Sequence, residues 1–547
     1  MNLLLRFSLI LSVLSAFAFG GVKDFEEIKD KPKGLAKDYY IYRLISEGNY
    51  TKKQVEILNE DIFRRSPTML KVLDTIIKPK KVASNCDPVN ATNIMDANLT
   101  CQRTLLRVPF MMKIKQAQRA LLADKFDDID KNVARRLRAL NAKNAALKFA
   151  DQNDTDAFIA LFNSSSQKDK EKFNVKFEPH FMNLLSNQKS FQKIASSLVI
   201  DKKMVKFREN FLNIDANAST QQHSYMLGLN AILLDSPHIA LKFFKQAEES
   251  FQNQGAKDAA IFWQYLITKN QILLEKLNKS SDINIYTLYA NELTGKEIPK
   301  VFSPTPTKQK LEDYDIKDPF LWQKTFAIVK EVNATKALEF AELFNTKETL
   351  GQHAYFMEKA SGYKDHYFVM PFLEELEDIN ATRKATIYAI GRQESRFIPS
   401  VISTSYALGM MQFMPFLANH IGKKELMIEG FDQDDMFDPR VALKFADHHL
   451  NYLEKFLHHP LFIAYAYNGG IGFTKRMLQR GDLFNEGKFE PFLSLELVPY
   501  AESRHYGKKV LANYVIYSHL LNSSTSILKL FETLSSPDLT DKFRKRD

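Results

Sequence analysis

The chain has 547 residues and a formal net charge of +10 at pH 7. This length exceeds what a single hydrophobic core supports, so several domains are expected. Only 19 Gly and 19 Pro occur, which is too few for the frequent turns of an all-β sandwich and favours an all-α fold. The positive charge favours anionic polymers as partners, and nucleic acid, anionic lipid and the bacterial cell wall all qualify.

Residues 1–20 have the pattern of a secretory signal peptide. Arg6 precedes an apolar run from Phe7 to Phe19, and Ala18-Phe19-Gly20 offers a small-residue cleavage site. We therefore expect export to the periplasm and no stable membrane span after cleavage; the alternative is an uncleaved anchor. Export argues against nucleic acid as a partner, and the chain also lacks a nucleic-acid-binding motif.

The two cysteines, Cys86 and Cys101, lie close together in the sequence. In an exported protein such a pair is expected to form one disulfide that closes a short loop. A metal site would need further thiols or a histidine nearby, and none lies between them.

Residues 21–298 are predicted to form an α-superhelix built from helical hairpins in series. Apolar residues near position 240 are spaced as one helical stripe, and a further helix is expected from Ala259 to Leu277 after a turn at Gly255. The stripe consists of Ile239, Ala240, Phe243, Phe244 and Ala247. No strict repeat motif occurs, and a compact helical domain is the alternative.

Three prolines mark the most probable interdomain linker: Pro299, Pro304 and Pro306. Residues 299–362 are predicted to form this linker and a small helical domain. Residues 363–547 are predicted to form the catalytic domain, because they contain every motif that suggests chemistry.

Ten Asn-x-Ser/Thr sequons occur, and in six an acidic residue lies two positions before the asparagine. Since some bacterial glycosylation systems require that acid, these six are candidate glycosylation sites on exposed loops. Helix capping, which also brings acids and asparagines together, is the alternative explanation. The six are Asn49, Asn98, Asn153, Asn217, Asn333 and Asn380.

The segment Arg392-Gln393-Glu394-Ser395-Arg396 places a carboxyl group in the last turn of a helix predicted over 381–396. The negative end of the helix dipole disfavours ionised Glu394 there, and burial in an apolar cleft would disfavour it further. A glutamate that keeps its proton near neutral pH can donate that proton to a glycosidic oxygen.

Three further elements follow in order, each able to contribute to a sugar-binding groove. Gly409-Met410-Met411-Gln412 supplies a flexible backbone position and an amide, and Met414 offers apolar surface. Ala466-Tyr467-Asn468 supplies a phenol that can contact the catalytic carboxyl group or a leaving oxygen. Glu502-Ser503-Arg504-His505-Tyr506 contains the only other carboxylate in a motif-like context.

Together these four elements resemble the soluble lytic murein transglycosylases. That family combines Glu-Ser, Gly-Leu-Met-Gln, Ala-Tyr-Asn and Glu-Thr-Arg-x-Tyr motifs in a lysozyme-like domain that follows a long α-superhelix. The resemblance implies Glu394 as the sole acid/base catalyst. It also implies a set of substrate-groove residues: Ser403, Gln412, Met414, Tyr467, Asn468 and Glu502.

The resemblance further implies a monomer that acts on peptidoglycan glycan strands without metal or cofactor. Cleavage between N-acetylmuramic acid and N-acetylglucosamine would then yield 1,6-anhydro ends. A hydrolytic muramidase, with Glu502 or an aspartate of the 432–438 loop as second carboxylate, and a non-catalytic wall-binding scaffold are the alternatives. Tyr406 and Leu408 replace the family's small residues and are expected to reshape the groove.

Two other clusters suggest metal binding only superficially. The pairs His448-His449 and His458-His459 lack the spacing of a zinc motif, and the aspartates of residues 432–438 do not fit a calcium loop. These aspartates are predicted to lie in a solvated loop.

Overall fold

A computed structural model describes residues 24–48, 50–77 and 85–544. Over these residues the chain is helical and contains only isolated β-bridges, with no strand. The predicted all-α fold class is therefore confirmed. The predicted signal peptide and Asn49 lie outside the described residues. Within the described ranges, no helix has the length and apolarity that crossing a membrane would require.

The described residues divide into two compact units. One contains residues 85–280 and 492–499, and is called here the helical-array unit. The other contains residues 24–77, 281–491 and 500–544, and is called the composite unit because it joins three separate stretches of chain. The boundaries predicted at residues 298 and 362 remain predictions.

Consecutive helices of the helical-array unit pack against each other, as expected for hairpins in series. Its α-helices are Leu99–Leu105, Val108–Met111, Gln116–Phe126, Lys131–Leu140, Ala145–Asp151, Thr155–Ser164, Gln167–Lys170, Pro179–Ser186, Lys189–Ile200, Val205–Glu209, Gln221–Leu233, Pro237–Ser250, Gln254–Thr268, Gln271–Asn278 and Phe492–Glu496.

The predicted apolar stripe is the buried face of helix Pro237–Ser250, where four of its five residues are buried and Ile239 is half-buried. The prediction of a single helix from Ala259 to Leu277 is wrong, because the helix ends before Lys269, whose φ is 54°. Asn270 then caps a new helix by accepting a hydrogen bond from the Ile272 N–H. Gly255 lies inside a helix, not in a turn.

The predicted disulfide joins Cys86 to Cys101, with their Cα atoms 5.3 Å apart. It closes a short loop at the start of the helical-array unit, and this prediction is confirmed.

All five described candidate asparagines of the acidic sequons are exposed. Asn98, Asn333 and Asn380 are helix N-caps whose Oδ1 atoms accept backbone N–H groups. Capping therefore accounts for these three asparagines without reference to glycosylation. Their modification stays a prediction.

The composite unit holds the remaining helices, which its three stretches of chain contribute. Its α-helices are Phe25–Lys29, Leu35–Glu47, Lys52–Glu60, Pro67–Leu73, Ile285–Leu293, Pro319–Glu331, Ala334–Leu343, Leu350–Ala360, Ala381–Glu394, Pro415–His420, Pro439–Glu454, Pro460–Gly469, Ile471–Leu478, Ala501–Leu520, Ile527–Thr533 and Pro537–Thr540. Residues 314–356 contribute a hydrophobic cluster that includes Tyr314, Val329, Phe344 and Phe356.

Helix Leu35–Glu47 is tied to the 432–438 loop by charge-assisted hydrogen bonds. The Arg43 guanidinium contacts Asp432 Oδ2 at 2.5 Å and Asp434 Oδ1 at 2.9 Å. The Tyr39 hydroxyl donates to Asp434 Oδ1 at 2.6 Å. The prediction of a solvated loop is therefore wrong for these two aspartates, because a helix almost 400 residues earlier in the chain partly buries them.

We predict that Arg43→Ala lowers the free energy of unfolding by about 3–5 kcal/mol, because it leaves two partly buried carboxylates without a counter-charge. Urea denaturation followed by circular dichroism measures the change. The control Lys52→Ala removes an exposed pair with Glu56 at 3.9 Å and should cost less than about 0.5 kcal/mol. Equal effects of the two substitutions would show that the Arg43 network is solvated.

Candidate active site

Glu394 is the last residue of helix Ala381–Glu394, close to the predicted end of that helix. Its carboxyl group is surrounded by protein while the side chain keeps some accessible surface. The Tyr506 hydroxyl donates a hydrogen bond to Glu394 Oε1 at 2.7 Å. The sequence motif suggested Tyr467 for contact with this carboxyl group or with a leaving oxygen, and it did not single out Tyr506.

The surroundings of Glu394 favour its protonated form. Burial raises the pKa of this carboxyl group to about 7, the Tyr506 hydrogen bond opposes the shift, and the negative charge of Glu502 adds to it. The group therefore exchanges its proton close to neutral pH, as a residue that serves in turn as acid and base requires.

Helix packing brings Tyr506 to the carboxyl group. Helix Ala501–Leu520 packs against both Ala381–Glu394 and Pro460–Gly469. At Gly507 a Cβ atom would lie 2.2 Å from the Tyr465 ring, so only glycine permits this close approach. The residue next to Tyr506 in sequence thus sets how near the helices come.

Residues 401–413 form a tight loop that the Ser395 hydroxyl, next to Glu394 in sequence, contacts at the Met410 carbonyl oxygen. Gly409 has a φ of 76°, and a Cβ there would lie 2.0 Å from the Met436 carbonyl oxygen. The Gln412 amide group donates to the carbonyl oxygens of Gly409 at 2.7 Å and Val401 at 3.1 Å. Both amide hydrogens are thereby used within the loop, so a sugar could interact with this side chain only through Oε1.

Ser403 and Met414 lie near the two ends of this loop. Ser403 Oγ accepts from the Ala407 N–H at 2.9 Å and closes a turn. Met414 is the half-buried N-cap of helix Pro415–His420.

Tyr467 bonds to this loop and lies near enough to Glu394 to respond to its charge. Its hydroxyl donates to the Met411 carbonyl oxygen at 2.9 Å. Burial, and then the charge of Glu394, raise the pKa of Tyr467 well above its usual value, so the phenol stays protonated near the carboxyl group. Ser395 Oγ makes a second connection by donating to the Met410 carbonyl oxygen at 2.7 Å.

Asn468 and Glu502 meet on the exposed side of the site. Asn468 Nδ2 donates weakly to Glu502 Oε1 at 3.4 Å, and the Ser503 hydroxyl donates to Asn468 Oδ1 at 2.7 Å. Glu502 is exposed. The structure therefore brings Glu394, Tyr467, Asn468 and Glu502 together.

Tyr406 and Leu408 do not line a groove as expected. Tyr406 is 2% exposed and its ring stacks on Tyr42 at 5.0 Å, while Leu408 is fully buried. The Tyr406 ring packs against helix Leu35–Glu47 through Tyr39 and Tyr42.

Among the described residues no group of three or more histidine, cysteine, aspartate or glutamate side chains is arranged to hold a metal. The histidine pairs have other partners. His448 Nε2 contacts Glu425 Oε2 at 2.5 Å, the His449 ring packs near Tyr467, and His459 caps helix Pro460–Gly469.

The part of the chain that carries this site matches a known protein family. Residues 372–487 match the family described as the Transglycosylase SLT domain. Residues 372–487 are thus similar to transglycosylase SLT domains, and the predicted resemblance to soluble lytic murein transglycosylases is confirmed.

Curated relatives match about a quarter of this chain. The soluble lytic murein transglycosylase of Escherichia coli K12 is 30% identical over 146 residues, covering 26% of this chain and 22% of that protein. Its Salmonella typhimurium counterpart is 29% identical over 141 residues, covering 26% of this chain and 21% of that protein. The match therefore spans about a fifth of the length of these relatives.

Solved structures extend the likeness to the whole fold. The 70 kDa soluble lytic transglycosylase from Escherichia coli superposes with a TM-score of 0.51 and 16% identity, covering 95% of this chain and 85% of that one. An inactive mutant of lytic transglycosylase Slt from Pseudomonas aeruginosa superposes with a TM-score of 0.51 and 15% identity, covering 92% of this chain and 79% of that one. The predicted class, an α-superhelix followed by a lysozyme-like domain, is confirmed.

We predict that Glu394→Gln stabilises the protein in alkaline solution. The folded-state pKa of about 7 lies above the ordinary 4.5, so wild-type stability is lost as pH rises from 4.5 through 7. Gln keeps the acceptor for Tyr506 without the charge, and should gain on the order of 3 kcal/mol at most at high pH.

Thermal unfolding of both proteins at acid and alkaline pH tests this. The gain should vanish in acid, where both forms are neutral. The exposed control Glu429→Gln should show no pH-dependent gain. A gain that is equal at all pH values would contradict a raised pKa.

Proposed function

We propose that this protein is a peptidoglycan lytic transglycosylase. Its proposed target is the β-1,4 bond between N-acetylmuramic acid and N-acetylglucosamine, with Glu394 as the single acid/base. The main support is the Glu394 carboxyl group, which burial brings to a pKa of about 7 inside a transglycosylase SLT domain. The homology of residues 372–487 and the fold likeness support the same assignment.

In the proposed reaction, protonated Glu394 donates its proton to the glycosidic oxygen, and the bond from that oxygen to C1 of muramic acid breaks. The 2-acetamido carbonyl oxygen of the sugar stabilises the positive charge at C1. Ionised Glu394 then removes the proton of the muramyl 6-hydroxyl, whose oxygen bonds to C1 and closes the 1,6-anhydro ring. Water takes no part, so one carboxyl group suffices.

Tyr506 and Tyr467 have distinct proposed roles. Tyr506 donates to Glu394 Oε1 and stabilises the carboxylate after it has given up its proton. Tyr467 holds the 409–412 loop through the Met411 carbonyl oxygen. Ser403, Gln412, Met414, Asn468 and Glu502 remain proposed substrate contacts.

Hydrolysis by the same site is the second candidate, because Glu502 is close enough for its charge to act on Glu394. A hydrolase would use Glu502 as the second carboxylate. Asp432 and Asp434 fit this role poorly, since Arg43 and Tyr39 already engage them. A non-catalytic scaffold fits poorly with a carboxyl group that burial keeps partly protonated.

We also propose that the protein works in the periplasm as a monomer after removal of residues 1–20. The proposed organisation keeps residues 21–298 as the superhelical domain, 299–362 as the linker domain and 363–547 as the catalytic domain. The basic charge of the chain suits an anionic wall polymer.

We predict that purified sacculi release muropeptides lighter by one water than hydrolytic products, and that mass spectrometry detects them. Glu394→Gln should abolish release, because an amide cannot carry the proton. Glu502→Gln should still yield anhydro products. Full-mass reducing ends that disappear with Glu502→Gln would establish hydrolysis, and no release from wild type would support a scaffold.

We predict that kcat/KM falls about tenfold per pH unit above about pH 7, because only protonated Glu394 can start the reaction. Since the charge of Glu502 raises the pKa of Glu394, Glu502→Gln should move this inflection to lower pH. Rates of muropeptide release across the neutral range measure both effects. If Glu502→Gln left the inflection in place, the charge of Glu502 would not contribute to the pKa of Glu394.

A further inference from the structure

Two arginines flank Glu394 in sequence, and the proposed reaction uses neither of them. Arg392 lies two residues before Glu394 and Arg396 two residues after it. Both guanidinium groups turn to the same carboxylate, that of Glu358 in helix Leu350–Ala360. Arg392 Nη2 lies 2.9 Å from Glu358 Oε1, and Arg396 pairs with Oε2.

Glu358 is an almost fully buried charge, with 4% of its side chain exposed. Its Oε1 atom also accepts the Tyr367 backbone N–H at 3.1 Å. A buried carboxylate persists only with good counter-charges and satisfied acceptors, and Glu358 has both. Two aromatic rings complete the cluster, since Arg392 lies over Phe368 and Arg396 over Tyr355.

The backbone just after Glu394 has an unusual conformation that helix Leu350–Ala360 contacts directly. Arg396 and Phe397 have φ values of 57° and 65°, a region that bulky residues rarely occupy. A Cβ atom on Gly351 would lie 2.6 Å from the Arg396 carbonyl oxygen. The helix that carries Glu358 therefore packs against the turn that ends the catalytic helix.

We propose that Glu358 is a positioning residue that fixes the Glu394 carboxyl group by clamping Arg392 and Arg396 on either side of it. This inference deepens the proposed function and rests on it for its kinetic consequence. The clamp sets where the carboxyl group sits, and it pairs the two guanidinium charges nearest to Glu394 in sequence with one carboxylate.

Glu358→Gln tests the clamp, because it keeps the shape of the side chain and removes its charge. Turnover should fall by about 10- to 100-fold with little change in KM, since the carboxyl group is displaced while the groove remains. The alkaline inflection of kcat/KM should move down by about half a pH unit or more, because uncompensated guanidinium charge favours the carboxylate. Glu358→Asp should keep the wild-type inflection.

Glu342→Gln is the matched control, an exposed glutamate on the neighbouring helix Ala334–Leu343. It should leave both turnover and the inflection unchanged. A Glu358→Gln enzyme with wild-type turnover and inflection would overturn the inference. So would a loss of turnover with an unmoved inflection, which marks a purely structural role.

A second measurement needs no activity and separates this inference from the proposed function. Glu394→Gln is made in wild-type and in Glu358→Gln protein, and the stability change is followed against pH in each background. In the Glu358→Gln background, the stability that Glu394→Gln adds at alkaline pH should be smaller. It should also reach its full value at a lower pH. Equal gains overturn the clamp, whereas absence of anhydro products from wild type overturns only the proposed function.

Discussion

The composite unit depends on keeping one carboxyl group away from water at the end of a helix. Burial and the helix terminus both disfavour the charge of Glu394, and a single hydrogen bond from Tyr506 offsets part of that cost. A carboxyl group in bulk water would be ionised at neutral pH. The helices around it are packed closely enough to remove much of the surrounding water and to bring a phenol within hydrogen-bonding distance.

Polar groups of the 401–413 loop are mostly used to hold the loop itself. The amide hydrogens of Gln412 and the hydroxyl of Tyr467 all reach backbone carbonyl oxygens. Such internal bonds fix the loop before any substrate arrives, so little ordering is required on binding. Glu358 ties down the two arginines that lie before and after Glu394 in sequence.

Local features of the sequence predicted much of this arrangement. The helix ending at Glu394, the disulfide and the apolar stripe of helix Pro237–Ser250 follow from nearby residues. The partner of Glu394 was missed because Tyr467 and Tyr506 both carry a phenol, and the crossing of helices at Gly507 decides which one reaches it. Glu358 and Arg43 were missed because each charge finds its partners far along the chain, where spacing carries no signal.

Chain order adds a timing consequence to the composite unit, which draws on residues 24–77, 281–491 and 500–544. Tyr506 is synthesised more than a hundred residues after Glu394. The aspartate partners of helix Leu35–Glu47 are synthesised almost 400 residues after that helix. Nascent or truncated chains therefore lack a finished site. For the proposed wall-cleaving activity, this chain order would keep the site incomplete until synthesis is nearly finished.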